Sequence, residues 1–203
     1  MSAFESPERP GVKTPAARAF LGVGSNIDPE ENVLAVVGIL EANPTTTVVQ
    51  SSSFYRTPAL SAPGEPSNHR RQDADFLNGV LEILTSLEPD ALQQALDGIE
   101  MVLGRIRTDD KYAPRTMDLD LLIYLPDPEM GPSPPDLTSR IPMPHKEIRT
   151  RAFVAIPLLE LAPDLKLPPD GTPLLEVASG FSGPGGEAAS SLNKRLRSVL
   201  SAR

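Results

Sequence analysis

The 203-residue chain has no cysteine and no tryptophan, only two histidines, and an aromatic content of 4%. Without cysteine there is no disulfide framework, no thiolate-ligated zinc or iron–sulfur cluster and no thiol nucleophile, so the expected compartment is the cytoplasm. Positive charge is also scarce: 19 Lys and Arg stand against 27 Asp and Glu, a formal net charge of −8. Attachment to nucleic acid by bulk positive charge is thereby disfavoured. No apolar run approaches the ~18 residues of a spanning helix. Glu5, Pro7, Glu8 and Pro10 interrupt the stretch that a signal peptide would occupy, so neither membrane insertion nor export is expected. Proline, by contrast, is abundant at 23 residues, about twice the usual ~5%. Together with 39% hydrophobic residues, this suits one domain with a sizeable core and long loops.

The polar, Pro- and Ala-rich residues 1–18 show no periodicity and are expected to form a flexible tail. Two further stretches, Ser61 to Asp75 and the proline-rich Pro126 to Pro144, read as loops, and Gly180 to Gly186 separates the body from a basic end containing Lys194, Arg195, Arg197 and Arg203. The body is therefore placed at 19–179, with 180–203 flexible or partly helical. Within it, Ala19 to Val23 suits a buried strand, followed by a Gly24-Ser25-Asn26 turn. Asp28 then offers an N-cap, Pro29 a first helical residue, and Glu30 and Glu31 complement the helix dipole. Val33, Val36, Val37 and Leu40 mark one apolar stripe, and Asn43-Pro44 ends it. Thr46 to Arg56 and Phe76 to Leu84 read as strands. A helix opens at Pro89, with Leu92, Ala95, Leu96, Ile99 and Leu103 on its buried face and Gly104 as its stop. Thr116 to Tyr124 is the next strand. The order β-α-β-β-α-β predicts an α+β, ferredoxin-like core, its helices packed on an antiparallel sheet. Helices over Arg149 to Leu161 and Thr172 to Ser179 extend it.

The strand over Thr116 to Tyr124 carries the most chemistry. Met117, Leu119, Leu121 and Ile123 should face the helices, leaving Asp118 and Asp120 together on the other face. Two carboxylates so placed repel each other, yet can jointly hold hard divalent cations through oxygen. Without metal, Asn at either position is expected to leave stability unchanged or slightly raised. Arg105, Arg107, Lys111 and Arg115 lie just upstream, and such opposition suits a polyphosphate held between metal ions and guanidinium forks. A solvated acidic sheet face, or an exposed salt-bridge network, would show the same composition. No P-loop ending follows Gly22-Val23-Gly24.

The segment Lys111-Tyr-Ala-Pro-Arg-Thr-Met-Asp-Leu-Asp-Leu-Leu resembles the signature of the 6-hydroxymethyl-7,8-dihydropterin pyrophosphokinase family of folate biosynthesis. Leu21-Gly-Val-Gly-Ser-Asn, Ser52-Ser-Phe-Tyr-Arg-Thr-Pro, Asp75-Phe-Leu-Asn, Ile99-Glu with Gly104-Arg-Ile-Arg, and Pro144-His-Lys followed by Arg151-Ala-Phe occur in that family's order. The resemblance spans roughly residues 19–170. It implies a ferredoxin-like fold and transfer of pyrophosphate from ATP to the hydroxymethyl group of the reduced pterin, giving AMP.

Residue by residue, the resemblance assigns two Mg²⁺ ions to Asp118 and Asp120, and catalytic phosphate contacts to Arg105 and Arg115. It places ATP against Glu100, Arg107, Lys111, Arg115, Arg140, His145 and Arg151. The pterin falls to Thr57, Pro58, Leu60, Asn78, Tyr112 and Phe153: Phe153 stacks on the ring and Asn78 reads the aminopyrimidinone edge. Core packing of Phe153 and capping of the following helix by His145 are the structural alternatives. Tyr112 stands where the family has tryptophan, Lys111 where arginine is common, Ala59 where a second proline is common, Phe76 for a frequent tyrosine, and Lys146 for an aromatic near the adenine site. Residues 61–75 and 125–138 make longer loops than in compact members. ATP and the reduced pterin are the expected partners, with no nucleic acid or membrane; association with neighbouring folate enzymes is not legible. A catalytically silent ligand-binding module and a metal-dependent nucleotidyl transferase or cyclase on a similar fold are the competing readings.

Overall fold

The computed structural model describes residues 17–59, 75–106, 113–126 and 141–202. Its frame is an antiparallel sheet built from β1 (Ala17–Ser25), β2 (Thr46–Ser51), β3 (Tyr55–Thr57), β4 (Phe76–Thr85) and β5 (Asp118–Pro126). The order across it is β5-β1-β4, with β2 and β3 in succession along the far side of β4. Helices α1 (Pro29–Ala42) and α2 (Pro89–Val102) cover one face, completing the ferredoxin-like β-α-β-β-α-β arrangement. Pro29 opens α1 and Pro89 opens α2, each where a missing N–H costs nothing. Asp28 sits at the N-cap position but adopts a left-handed conformation, φ 43°, and its side chain makes no cap bond. Gly104 ends the α2 region with φ 79°, the conformation for which glycine is suited.

The single strand expected over Thr46 to Arg56 is divided. Ser51 pairs with Leu81 and Tyr55 with Asn78, so residues 52–54 stand opposite only Gly79 and Val80. This is a one-residue bulge. Its cause is Phe54, fully buried on the helix face, whose ring lies where a Cβ on Gly79 would come within 2.7 Å of it.

A second bulge corrects the face assigned to Ile123. Phe20 pairs with Ile123 but Leu21 pairs with Leu121, so Leu122 is an extra residue on β5. Met117, Leu119 and Leu121 join the core under α1 and α2 as expected. Past the bulge the alternation inverts, and Ile123 packs with Phe20, Val80 and Leu122 in a second core on the opposite face. That core is closed by a 3₁₀ turn (Lys146–Arg149), α3 (Ala152–Leu161), the short hairpin of β6 (Lys166–Leu167) and β7 (Thr172–Pro173), and α4 (Leu174–Ser179). The helix expected from Arg149 therefore starts at Ala152, because Arg151 is extended, φ −127° and ψ 118°.

Two terminal boundaries shift. Arg18 lies inside β1, where Glu82 accepts its Nε–H, instead of in a tail ending at residue 18. The C-terminal stretch forms β8 (Glu187–Ala188), which adds to β3, and α5 (Ser190–Ser201), whose Leu192 and Leu196 are buried in the first core. Residues 180–203, expected to be flexible or partly helical, thus contain a helix whose apolar side is buried on the body. No helix among the described residues is long and apolar enough to cross a membrane.

Candidate active site

Because α3 covers only part of the second face, the end of the sheet nearest Asp118 is left open. Register places Asp118, Gly24, Asn78 and Tyr55 side by side across β5, β1, β4 and β3. Gly24 keeps this row flat: a Cβ there would lie 3.0 Å from Asn78 Oδ1. Above the row is a cavity of about 430 Å³, lined on the sheet by Gly24, Phe76, Asn78, Asp118 and Asp120, and at its rim by Thr57, Pro58 and Arg115. Lys146, Glu147, Thr150, Arg151 and Phe153 close it from the 3₁₀ turn and the start of α3.

Asp118 is held by two guanidinium groups. Arg105 Nη1 donates to Oδ1, and Arg115 Nη1 donates to Oδ2 at 2.7 Å. Arg105 also donates to Glu100, which accepts the Leu119 N–H at 2.8 Å. Glu100 is 2% exposed and does not line the cavity. It locks the end of α2 to β5 from beneath; Arg105 itself reaches the cavity edge only through Asp118. Asp120 lies in different surroundings. Its carboxyl is pushed up to about 6, first by burial and then by the neighbouring charge of Asp118, with His145 opposing the shift.

The last residue of β1, Ser25, and the next, Asn26, anchor Arg115 and the residue after it, a role the sequence did not assign. Asn26 Oδ1 accepts the Arg115 N–H at 2.7 Å, Asn26 N–H donates to the Arg115 carbonyl at 3.1 Å, and Ser25 Oγ donates to the Thr116 carbonyl at 2.6 Å. The signal was present in Gly24-Ser25-Asn26, two small polar side chains leaving a buried strand. Arg115 also lies over the Phe76 ring, 5.6 Å from its centroid.

On the opposite side of the cavity Asn78 Nδ2 donates to Thr57 Oγ1 at 2.7 Å, which fixes the amide plane and aims its remaining polar edge along the sheet. Phe153 lines the cavity and also packs against the second core. His145 does not cap the 3₁₀ turn with its side chain and does not line the cavity; its Nδ1 is buried without a hydrogen-bond partner among the described residues. Arg151 lines the cavity. Leu60, Arg107, Lys111, Tyr112 and Arg140 lie outside the described residues, as do most of the loops at 61–75 and 125–138.

The donors fit magnesium. Asp118 and Asp120 are hard oxygen ligands on one face of one strand, and both line the cavity. Among the described residues no cluster of three or more metal-ligating side chains occurs.

A flat, aromatic-edged slot beside a paired-acid, arginine-rich corner defines a site for joining a heterocyclic acceptor to a polyphosphate donor. Residues 20–163 match the family model described as 7,8-dihydro-6-hydroxymethylpterin-pyrophosphokinase, and the chain belongs to that family. It is 39% identical over 161 residues to the 2-amino-4-hydroxy-6-hydroxymethyldihydropteridine pyrophosphokinase of Pseudomonas aeruginosa, covering 79% of this chain and 89% of the relative. It is 41% identical over 149 residues to that of Methylorubrum extorquens, covering 73% and 84%. A solved HPPK-DHPS in complex with substrates superposes with TM-score 0.57 at 12% identity, over 82% of this chain and 45% of that one. The likeness extends the fold agreement, and this chain spans less than half of that two-part protein.

Proposed function

We propose that the chain transfers the pyrophosphoryl group of ATP to the hydroxymethyl oxygen of 6-hydroxymethyl-7,8-dihydropterin, giving AMP and the pterin diphosphate in tetrahydrofolate biosynthesis. The observation that carries this reading is that one cavity holds Asp118, Asp120 and Arg115 at one end and Asn78, Thr57 and Phe153 at the other. In the reaction the hydroxymethyl oxygen bonds to the β-phosphorus. The bond from that phosphorus to the oxygen bridging the α- and β-phosphates breaks, that oxygen leaves on AMP, and the hydroxyl proton passes to solvent.

Asn78 orients the acceptor by its amide and Phe153 supplies an apolar face for the ring. Asp118 and Asp120 would hold two Mg²⁺ ions, which when bound supply charge neutralisation and alignment of the triphosphate. Arg105 and Arg115 add guanidinium charge at the same corner, and Lys146 and Arg151 contribute cations on the opposite rim. Rate enhancement comes from positioning and charge, so no strong general base is assigned. The buried amide of Asn78 beside Phe153 disfavours a nucleotidyl transferase or cyclase, which has no use for a heterocycle reader there. Paired acids facing the cavity disfavour a silent binding module. The reading places the chain in the cytoplasm, with ATP and the reduced pterin as its partners.

The test is product identity. Purified protein with ATP and magnesium should release AMP only when the reduced pterin is added. Formation of ADP would show a simple kinase and overturn the assignment.

A further inference from the structure

Residues 164–203 lie beyond the family match, which ends at residue 163. The last elements among them are tied to the strand that carries the heterocycle end of the cavity. β8 runs antiparallel to β3, pairing Ala188 with Tyr55 and Glu187 with Arg56, so the three-residue β3 is held between β4 and β8. The approach is close enough that a Cβ on Gly186 would lie 1.8 Å from the Arg56 carbonyl oxygen.

Immediately before β3, both backbone polar groups of Phe54 bond to the same C-terminal unit. Its N–H donates to Asn193 Oδ1 at 2.8 Å, and its carbonyl accepts from Asn193 Nδ2 at 3.2 Å and from the Ala189 N–H at 2.8 Å. Asn193 is 5% exposed, between Leu192 and the buried turn of α5 that carries Leu196. From the other side, Glu160 of α3 accepts the Ser53 N–H at 2.7 Å and the Tyr55 hydroxyl at 2.6 Å. A strand this short has little pairing energy of its own, so its position is set by what holds it.

β3 ends in Thr57, whose hydroxyl accepts from Asn78 and thereby fixes the amide that faces the cavity. We infer that β8 and α5 are a positioning element for the heterocycle end of the active site, with Asn193 the positioning residue: it fixes Phe54, Phe54 fixes β3, and Thr57 fixes Asn78. The inference deepens the proposed activity and rests on it for the identity of the acceptor. The polyphosphate corner is anchored separately, by Ser25 and Asn26 at the end of β1 and by Glu100 beneath β5. Loosening the C-terminal unit should therefore weaken acceptor use and spare nucleotide use.

The experiment compares full-length Asn193→Ala and Gly186→Ala with Leu196→Ala, which trims the same helix in the core without removing a bond to Phe54. KM for the reduced pterin and for ATP is measured at a temperature where circular dichroism shows each variant folded. Loss of one buried hydrogen bond corresponds to about fivefold in an equilibrium constant. The pterin KM should rise about fivefold or more in Asn193→Ala and Gly186→Ala, with the ATP KM within about twofold of wild type. Leu196→Ala should lower the melting temperature without raising the pterin KM. If Asn193→Ala does not fold, Gly186→Ala, at an exposed position, decides alone. An unchanged pterin KM, an equal rise in both KM values, or the same rise in Leu196→Ala overturns the positioning role. A wild-type protein that makes no AMP overturns the activity reading instead, and the inference with it.

Discussion

Asp118 shares two guanidinium groups, whereas Asp120, two residues along the same strand, forms no ion pair with any described arginine or lysine. The two acids were expected to behave alike on substitution, because a period of two places them on one face and like charges repel. Their neighbours separate them. The raised carboxyl of Asp120, about 6 against an ordinary 3.8, means that the folded protein binds more protons than the unfolded chain between those values. Metal-free stability therefore falls as pH rises through about 4 to 6, and the penalty is fully present above that window. Asp120→Asn should raise metal-free stability at pH 7.5 by about 1–2 kcal/mol and give no gain near pH 4. Asp118→Asn should instead lower it at pH 7.5 by about 1–3 kcal/mol, since the half-buried Arg105 and Arg115 lose a shared carboxylate. Urea denaturation of both variants at the two pH values checks the opposite signs, and equal shifts would remove the distinction. Both variants should lose activity by about 10³-fold or more, because an amide supplies no charge to balance magnesium.

At the scale of elements, what was legible was periodic and what was missed broke a period. The strand over Thr116 to Tyr124 and the shared face of Asp118 and Asp120 follow from alternation alone. The bulge at Leu122 does not: Leu121, Leu122 and Ile123 are all apolar, so an inserted residue leaves no mark on the pattern while inverting every later side chain. The burial of Glu100 is legible in the same way as that shared face, since Leu92, Leu96 and Glu100 recur at intervals of four on α2, which places the carboxylate on the buried stripe. The break between β2 and β3 was hidden for another reason, that it answers to a distant glycine. A Cβ on Gly79 would meet the Phe54 ring at 2.7 Å, so Gly79→Ala should cost about 1–3 kcal/mol through displacement of that ring. Gly38, in the interior of α1, has nothing within 4 Å of the same added atom, and Gly38→Ala should stabilise by about 0.5–1 kcal/mol. Thermal denaturation of the pair reads the two signs, and a neutral Gly79→Ala would mean that Phe54 does not depend on a flat neighbour.

For the whole molecule, the sheet is the shared wall of two cores, one under α1, α2 and α5 and one under α3 and α4. The C-terminal end reads as a basic tail because Lys194, Arg195 and Arg197 dominate its composition, although Leu192, Leu196 and Leu200 recur at intervals of four through the same stretch. Leu192 and Leu196 are buried with Leu21 of β1 and Val37 of α1, and Asn193 is bonded to the backbone before β3. Removing α5 from that core exposes the same cluster that holds β1, so its opening should be coupled to the opening of the sheet instead of preceding it. Native-state hydrogen exchange distinguishes the cases. Amides in the middle of α5, around Leu196, should exchange with an opening free energy close to that of central β1 amides, and with a denaturant dependence that converges on the global one. A detachable tail would give α5 amides that exchange through small, denaturant-insensitive fluctuations while β1 stays protected. Observing that pattern would separate α5 from the cooperative unit and leave β3 held by β4 and Glu160 alone.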